Sequence, residues 1–592
     1  MQSKVFNSLN VVILSSIIIA LLMVNNGLGN NISWDTFGQY CYLPSFFIDH
    51  TFQVPLSHFE NLNNTYSFSS TLYQFNVINE VAFTKYTAGL AFLTAPFFLA
   101  GHLFASLLGY PMDGYSAPYA VAFGIGCLFY TVLGIVVLRK LLLHFFDDAT
   151  TAWSVPIIVF GTNFLANAVF GGAPTHTFSF LFLCLVILST IKFHQNTTLK
   201  NGVFLGLSIG VLGLVRLPDL LFGLIPVFWN IKQYGSIFKK INYLFKNKRP
   251  ATLVAIISFL LIISIQFFYW KNVSGAFFID SYANNPGEGF DWFRPHTYPF
   301  LFSFKKGWLI YTPLAFIGLW GLFKLLFSQK GNYRLIAITF VVFLYVASSW
   351  TTWWYAGSFS QRSMVDVYPI LGIAIGFVFS TTKLKKWVLG FAFLCVVLNL
   401  FQTWQMRNRI ISTSLMTKSY YLSTFGQTTP TTEGQKQLLE LDYADYEGYP
   451  SADFILTPMK TWDFIVENGR LSEENWYTKD IAVQLPDFYH QRKLYLIKTF
   501  WDYVPQSYNG LEGIIPNIAM MYKNKTYGWR GVEGSSPNLI IDTIKHQVIM
   551  EYLIPDTRTK KDRIRIQIWR KDPKDIEFTH VRVEMLEIKG KK

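Results

Sequence analysis

Charge is scarce in this chain: 15% of its 592 residues are Asp, Glu, Lys or Arg, against 51% hydrophobic. That composition excludes an ordinary soluble enzyme. Cysteine is scarce too. Of the four, Cys127, Cys184 and Cys395 lie inside apolar runs, where a thiol packs as a small hydrophobe, and only Cys41 lies outside them. No pair has metal-ligand spacing and the C-terminal portion has none, so neither a disulfide framework nor zinc is indicated. A phosphate-cradling Gly loop, a Gly-x-Ser-x-Gly elbow and a Cys–His pair at recognisable spacing are all missing. His102, His176 and His296 are scattered without metal spacing and read as packing residues. No metal and no cofactor is expected, with a divalent cation left open. No internal repeat is evident, which disfavours inverted-repeat transporters.

What is present is a series of apolar runs, each near the roughly 20 helical residues that cross a hydrocarbon layer of about 30 Å. The first, about 9–25, has no small-residue cleavage site after it and reads as a retained span. Further spans are expected at about 116–143, 151–169, 174–193, 202–215, 218–232, 251–270, 308–327, 333–350, 364–381 and 386–404, giving about eleven. The segment 87–108 is apolar enough to span, but counting it would move Arg139 and Lys140 outside; an interfacial or re-entrant helix is expected. With that count Lys4, Arg139-Lys140, Lys192 with Lys200, the cluster 239–249, Lys330 with Arg334, and Lys383 to Lys386 share one side. The formal charge of +14 sits mainly in these short loops and in the tail, so the basic residues are assigned to topology and membrane lipid, not nucleic acid.

An odd number of spans sends the C-terminus out. Three segments, 26–115, 271–307 and 351–363, share its compartment and are rich in aromatic, Gly and polar residues. The expected domains are 1–404, membrane-embedded, and 405–592, soluble. In the tail, 435–470 reads as helical on Leu438, Leu439, Leu441, Trp462, Phe464 and Ile465. Strict alternation at Ile564, Ile566 and Ile568 and at Val581, Val583 and Met585, with the apolar run Val548 to Leu553, predicts strands of a small β-sandwich.

Asp35 follows the first span by about ten residues, flanked by Trp34 and Phe37. A partly desolvated carboxylate at a membrane surface makes a general base, but Asp is also a favoured helix N-cap, and both readings stand. Lys85 precedes an apolar helix: snorkelling explains it, as does phosphate binding at a helix N-terminus. Arg216 lies between two apolar runs, where a guanidinium needs a partner or a role; the structural alternative is an ion pair with Asp219. In 350–362, Trp353, Trp354 and Tyr355 form an aromatic belt, and Arg362 follows with Asp366 one turn on, either as a local pair or as a phosphate binder beside sugar-stacking rings.

In order, Asp35-x-x-Gly38-Gln39-Tyr40-x-Tyr42-Leu43-Pro44, Lys85-Tyr86-x-x-Gly89, Asp113-Gly114-Tyr115-Ser116, Arg216 before Pro218, Lys306-Gly307-Trp308-x-x-Tyr311-Thr312-Pro313 and Gln361-Arg362 resemble the GT-C superfamily of polytopic glycosyltransferases. Within it the chain resembles family 39-like bacterial proteins related to protein mannosyltransferases and aminoarabinose transferases, over about residues 1–400. The resemblance implies a GT-C-like helical membrane fold with a β-rich soluble domain. It implies an external site where Asp35 is the base and Lys85, Arg216 and Arg362 hold the phosphate of a polyprenyl-phosphate sugar. Glu80, Asp113, Tyr40, His176 and Trp354 are candidate accessory residues. Relatives often carry an acidic residue directly before the loop lysine; here it is Thr84, with Glu80 a turn away.

The expected activity is inverting transfer of a sugar to a hydroxyl of a glycan, lipid or protein at the outer face of a bacterial inner membrane, with a cytoplasmic N-terminus. The alternatives are a transporter or flippase, whose arginines would line a passage, an O-antigen polymerase or ligase, and a membrane anchor for the tail.

Overall fold

The computed structural model describes residues 7–69, 72–171, 174–282, 289–329, 331–436, 439, 454–472, 474–487, 489, 495–505, 513–522, 525–531, 539–554, 561–570 and 575–591. They form two compact units, one reaching Leu439 and the other taking Gly289 and the described residues from 454 on.

The first unit is a polytopic helical membrane domain. Among the described residues eight helices are long and apolar enough to cross a bilayer: Ser8–Asn26, Gly89–Leu108, Ala117–Phe145, Thr175–Gln195, Arg249–Ser274, Gly331–Ser348, Arg362–Thr381 and Lys385–Arg407. The pair Asp148–Gly161 and Phe164–Phe170, bent by 57°, makes a ninth if counted as one span. Leu199–Val215, Leu217–Phe228 and Ala315–Leu326 are shorter. About eleven spans were expected; three of those coincide with the short helices. Proline explains two of the shortfalls. Pro218 restricts its predecessor and the helix stops at Val215, while Pro313 separates Trp308–Tyr311 from Ala315–Leu326.

Contacts sort the helix ends into two sets. At one end the Ser8 amide and the Arg139 Nε lie on Asp148 and Ser8 respectively. Phe145 packs on Tyr333, and Lys232 donates to the Gln329 carbonyl. This basic end therefore brings together the loops carrying Arg139, Lys232 and Arg334; Lys4 and Lys330 lie outside the described residues. At the other end Leu28 lies against Gly124, whose added Cβ would meet the Leu28 carbonyl oxygen at 2.1 Å.

The helix Ser8–Asn26 thus runs antiparallel to Ala117–Phe145, and residues 27–116 begin and end on the same side. Gly89–Leu108 packs only along the first half of Ala117–Phe145. Gly101 faces Tyr119, Gly126 faces Phe97, and the Tyr130 hydroxyl donates to the Leu93 carbonyl. Its N-terminus is lodged among helices, the Ala88 amide donating to Gln266 and Gly89 touching the Leu214 and Val215 backbone. The helix, expected to be interfacial or re-entrant, has the length and composition of a span, and its N-terminus meets the backbone at Leu214 and Val215.

The expected boundary at 404/405 moves C-terminally. Ile411, Met416, Tyr420 and Tyr421 pack with Tyr311 and Phe359, so the stretch after Arg407 belongs to the membrane unit.

The second unit is a β-sandwich. Counting after a short hairpin in the first unit, β1 (Phe75–Ile78) and β2 (Val81–Thr84), its strands are β3 (Phe454–Ile465), β4 (Arg470–Leu471), β5 (Ile481–Gln484), β6 (Tyr495–Tyr503), β7 (Ile514–Tyr522), β8 (Lys525–Gly531), β9 (Leu539–Asp542), β10 (Gln547–Leu553), β11 (Arg563–Arg570) and β12 (Ile576–Lys591). One sheet has the order β3-β12-β6-β10-β9, the other β5-β11-β7-β8, all antiparallel. Ile564, Ile566 and Ile568 of one sheet and Val581, Val583 and Met585 of the other share one core, as the period-2 pattern predicts. The expected helix over 435–470 is overturned in its described second half, which is β3, along which Trp462 and Phe464 lean on the core while Ile465 is exposed; at its start, 435 and 436 end the short helix Glu433–Lys436. Leu438 and Leu441, on which its first half rested, lie outside the described residues.

Candidate active site

The site end is built around the β1–β2 hairpin. Asn79 and Glu80 form its turn with φ of 49° and 65°, the doubly left-handed geometry of a tight two-residue connection. Phe75 pairs with Thr84 and the Lys85 amide donates to the Gln74 carbonyl at 2.9 Å, so the register carries Tyr73 opposite Tyr86. Both hydroxyls donate to one oxygen of Asp35, at 2.5 Å from Tyr73 and 2.6 Å from Tyr86. The short helix Asp35–Tyr40 lies on the hairpin through Gly38, where a Cβ would come within 2.8 Å of Gln74. Phe37, fully buried among Phe59, Phe68, Phe75 and Tyr115, anchors the same helix.

The second Asp35 oxygen accepts from the Arg362 guanidinium at 2.6 Å, with both side chains 14% exposed. The helix-cap reading of Asp35 is thereby replaced: its oxygens serve two tyrosines and an arginine, and the cap position is Trp34, at φ 49°. Burial would raise the Asp35 pKa. The Arg362 charge and the three hydrogen bonds outweigh it and lower the pKa from 3.8 to about 2. Burial and the Asp35 charge push the Tyr73 and Tyr86 hydroxyls well above the usual tyrosine value, so both remain donors.

Lys85 is buried in a cage of tyrosines, its ammonium 4.9 Å from the Tyr73 ring centroid, 5.7 Å from Tyr86 and 5.4 Å from Tyr282. Ser281 holds this strand end by donating to the Lys85 carbonyl.

Arg362 opens the 3₁₀ turn Arg362–Val367, which also carries Asp366. Asp366 is fully buried and pairs with Arg216 through one oxygen and with the His176 Nδ1, at 2.9 Å, through the other. The two local pairings considered from sequence are therefore not the ones formed. Arg362 joins Asp35 and not Asp366; Arg216 joins Asp366, while Asp219 accepts from Ser179 at 2.6 Å. The loop before Arg362 is strained at Tyr355, Ala356 and Ser360, all with φ above 50°. Two buried groups hold it: Asn163 donates to the Phe359 and Gln361 carbonyls, and Lys306 donates to the Ser358 and Thr413 carbonyls.

Asp35, Lys85, Arg216 and Arg362 thus converge from four distant stretches of sequence, with His176 beside them. The other accessory candidates lie elsewhere. Glu80 is exposed at the hairpin tip. Asp113 accepts from the Tyr115 and Ser116 amides and from Tyr66, stapling the loop ahead of Ala117–Phe145. Tyr40 is buried and donates to the Gly114 carbonyl at 2.7 Å. Trp354 lies 4.7 Å from the Lys305 ammonium. Tyr73, Tyr282 and Asp366 were not singled out as site residues from sequence; no local motif marks the tyrosines, which meet Asp35 and Lys85 only through the hairpin and the 275–282 loop. Among the described residues no three His, Cys, Asp or Glu side chains gather in a metal-holding group. A cavity of about 440 Å³ between His144, Gln195, Trp229, Lys232 and Tyr333 lies at the basic end, away from this cluster.

No family model and no curated protein matches the chain. Among solved structures it is similar to the arabinosyltransferase EmbB from Mycobacterium smegmatis, at 10% identity and a TM-score of 0.30, over 97% of this chain. The chain spans 64% of the length of that protein. A likeness of that size supports neither a residue correspondence nor a shared activity.

Proposed function

We propose that this chain is a GT-C-type membrane glycosyltransferase that moves a sugar from a polyprenyl-phosphate donor to an acceptor hydroxyl at the outer face of the membrane, with inversion. The observation that carries the reading is the convergence of one carboxylate, Asp35, with Arg362, the caged Lys85 and Arg216 on the adjacent Asp366. A base flanked by cations suits displacement of a phosphate from a sugar.

The acceptor hydroxyl gives its proton to Asp35 while its oxygen bonds to the anomeric carbon. The bond from that carbon to the phosphate oxygen breaks with its electron pair, and the lipid phosphate departs from the opposite face. Arg362, Lys85 and Arg216 hold the developing charge, which replaces a general acid. A carboxylate with a pKa of about 2 is a weak base. Donor phosphate drawing Arg362 to itself removes the main influence that lowers it, so Asp35 gains basicity when the donor is seated.

The test is turnover of the purified full-length protein with defined polyprenyl-phosphate sugars, the pair being identified first by comparing glycans of cells with and without the gene. Asp35→Asn is expected to lower turnover by about 10²–10⁴-fold, the usual value of a general base, with the fold retained. Near-parental turnover in that variant removes Asp35 from the mechanism. Movement of the lipid without formation of a glycosidic bond replaces the transferase reading with a flippase.

A further inference from the structure

At the basic end, the helix Ile237–Asn247 lies between the short helix Leu224–Phe228 and the span Arg249–Ser274. Ser236 caps it, its side chain accepting from the Lys239 amide. Three faces of this helix meet three surroundings. The first is turned to the protein. Lys240 is buried, and its ammonium donates to the carbonyls of Pro226, Val227 and Trp229 at 2.9, 2.9 and 2.6 Å, locking the helix onto the C-terminal turn of Leu224–Phe228.

The second face carries Phe238, Ile241 and Phe245 at helical spacing, all exposed, Phe238 by 81%. The third carries Lys239 and Lys246, followed by Lys248 and Arg249 where the chain turns into the next span. Between Asp219 and Asp280 there is no acidic residue. The cations of this segment therefore have no carboxylate near in sequence to neutralise them.

A pinned helix with an uncovered apolar stripe beside a basic one cannot rest stably in water. The next helix says what covers the stripe: it starts at Arg249 and exposes Leu253, Ile257, Leu260 and Leu261, the apolar surface of a span that faces acyl chains. We propose that Ile237–Asn247 is an interfacial helix that binds anionic phospholipid, with Phe238, Ile241 and Phe245 among the acyl chains and Lys239, Lys246, Lys248 and Arg249 on the head-group phosphates. The anchored Lys240 makes the seat preformed, so lipid is bound without ordering a loop. This assignment does not depend on the transferase reading.

The full-length protein, purified from nanodiscs of phosphatidylcholine with a minor share of phosphatidylglycerol, is analysed for retained lipid by mass spectrometry. The parent is expected to be enriched in phosphatidylglycerol over the nanodisc composition, and a high-salt wash is expected to reduce the enrichment. Each cation near an anionic surface is worth roughly a fivefold gain in affinity. Replacing Lys239, Lys246, Lys248 and Arg249 by Gln should therefore lower the enrichment at least about tenfold, with phosphatidylcholine retention unchanged. Replacing the three lysines by Arg should preserve it. Equal enrichment in parent and Gln variant overturns the proposal, as does a parent with no preference at any salt concentration.

Discussion

Arg362→Gln isolates the electrostatic core of the site. Folding takes the Asp35 carboxyl from 3.8 to about 2, a difference that corresponds to roughly 2–3 kcal/mol at about 1.4 kcal/mol per pKa unit. Little is lost to screening, because both partners are 14% exposed. The folded carboxyl is the stronger acid, so its contribution is complete above about pH 4 and disappears as the pH falls toward 2. Without Arg362, burial acts against only two tyrosine hydrogen bonds and the pKa climbs, so the variant gains little or nothing from ionisation. The assay is the unfolding midpoint of the full-length protein in nanodiscs, parent against variant, from about pH 7 down to the acid limit. A gap of about 2–3 kcal/mol near neutrality that narrows steadily below pH 4 is expected. A gap that is the same at pH 7 and at pH 2.5 refutes the argument, because the loss would then come from packing and not from a charge that Asp35 feels.

Gly38→Ala places a Cβ 2.8 Å from the Gln74 Cβ and 3.0 Å from both the Thr84 Oγ1 and the Tyr86 Cδ2. It should keep the protein folded at a cost of about 1–3 kcal/mol while turnover falls by at least about tenfold, since Tyr86 must shift off Asp35; stability and rate measured on one preparation check the split. Ile566→Ala empties a fully buried position of β11 and should destabilise the sandwich by about 2–5 kcal/mol, seen as faster proteolysis of the C-terminal unit with the membrane unit left intact.

Most of the spans were legible because each is a continuous apolar run, although 89–108 was not counted and three shorter helices were; the strands at 564–568 and 581–585 were legible because period-2 alternation survives wherever one sheet face is covered. The same rule explains the failure at β3. As an edge strand it buries Trp462 and Phe464 only in part and exposes Ile465, so its apolar residues looked like a helical cluster. Asp35, Lys85, Arg216 and Arg362 stood out because charge beside hydrocarbon needs a reason. Their pairing was not legible. Sequence proximity favoured Arg216 with Asp219 and Arg362 with Asp366, whereas the fold joins Arg216 to Asp366 across 150 positions and Arg362 to Asp35 across 327. Short-range pairing rules hold within a continuous helix, and both local pairs sit at 3₁₀ turns beside helix breaks.

One turn of backbone, 362–367, grips Asp35 with its first residue and Arg216 with its fifth. The same short turn therefore joins the loop that follows the first span to the break after Leu199–Val215, two segments that touch it through separate ion pairs.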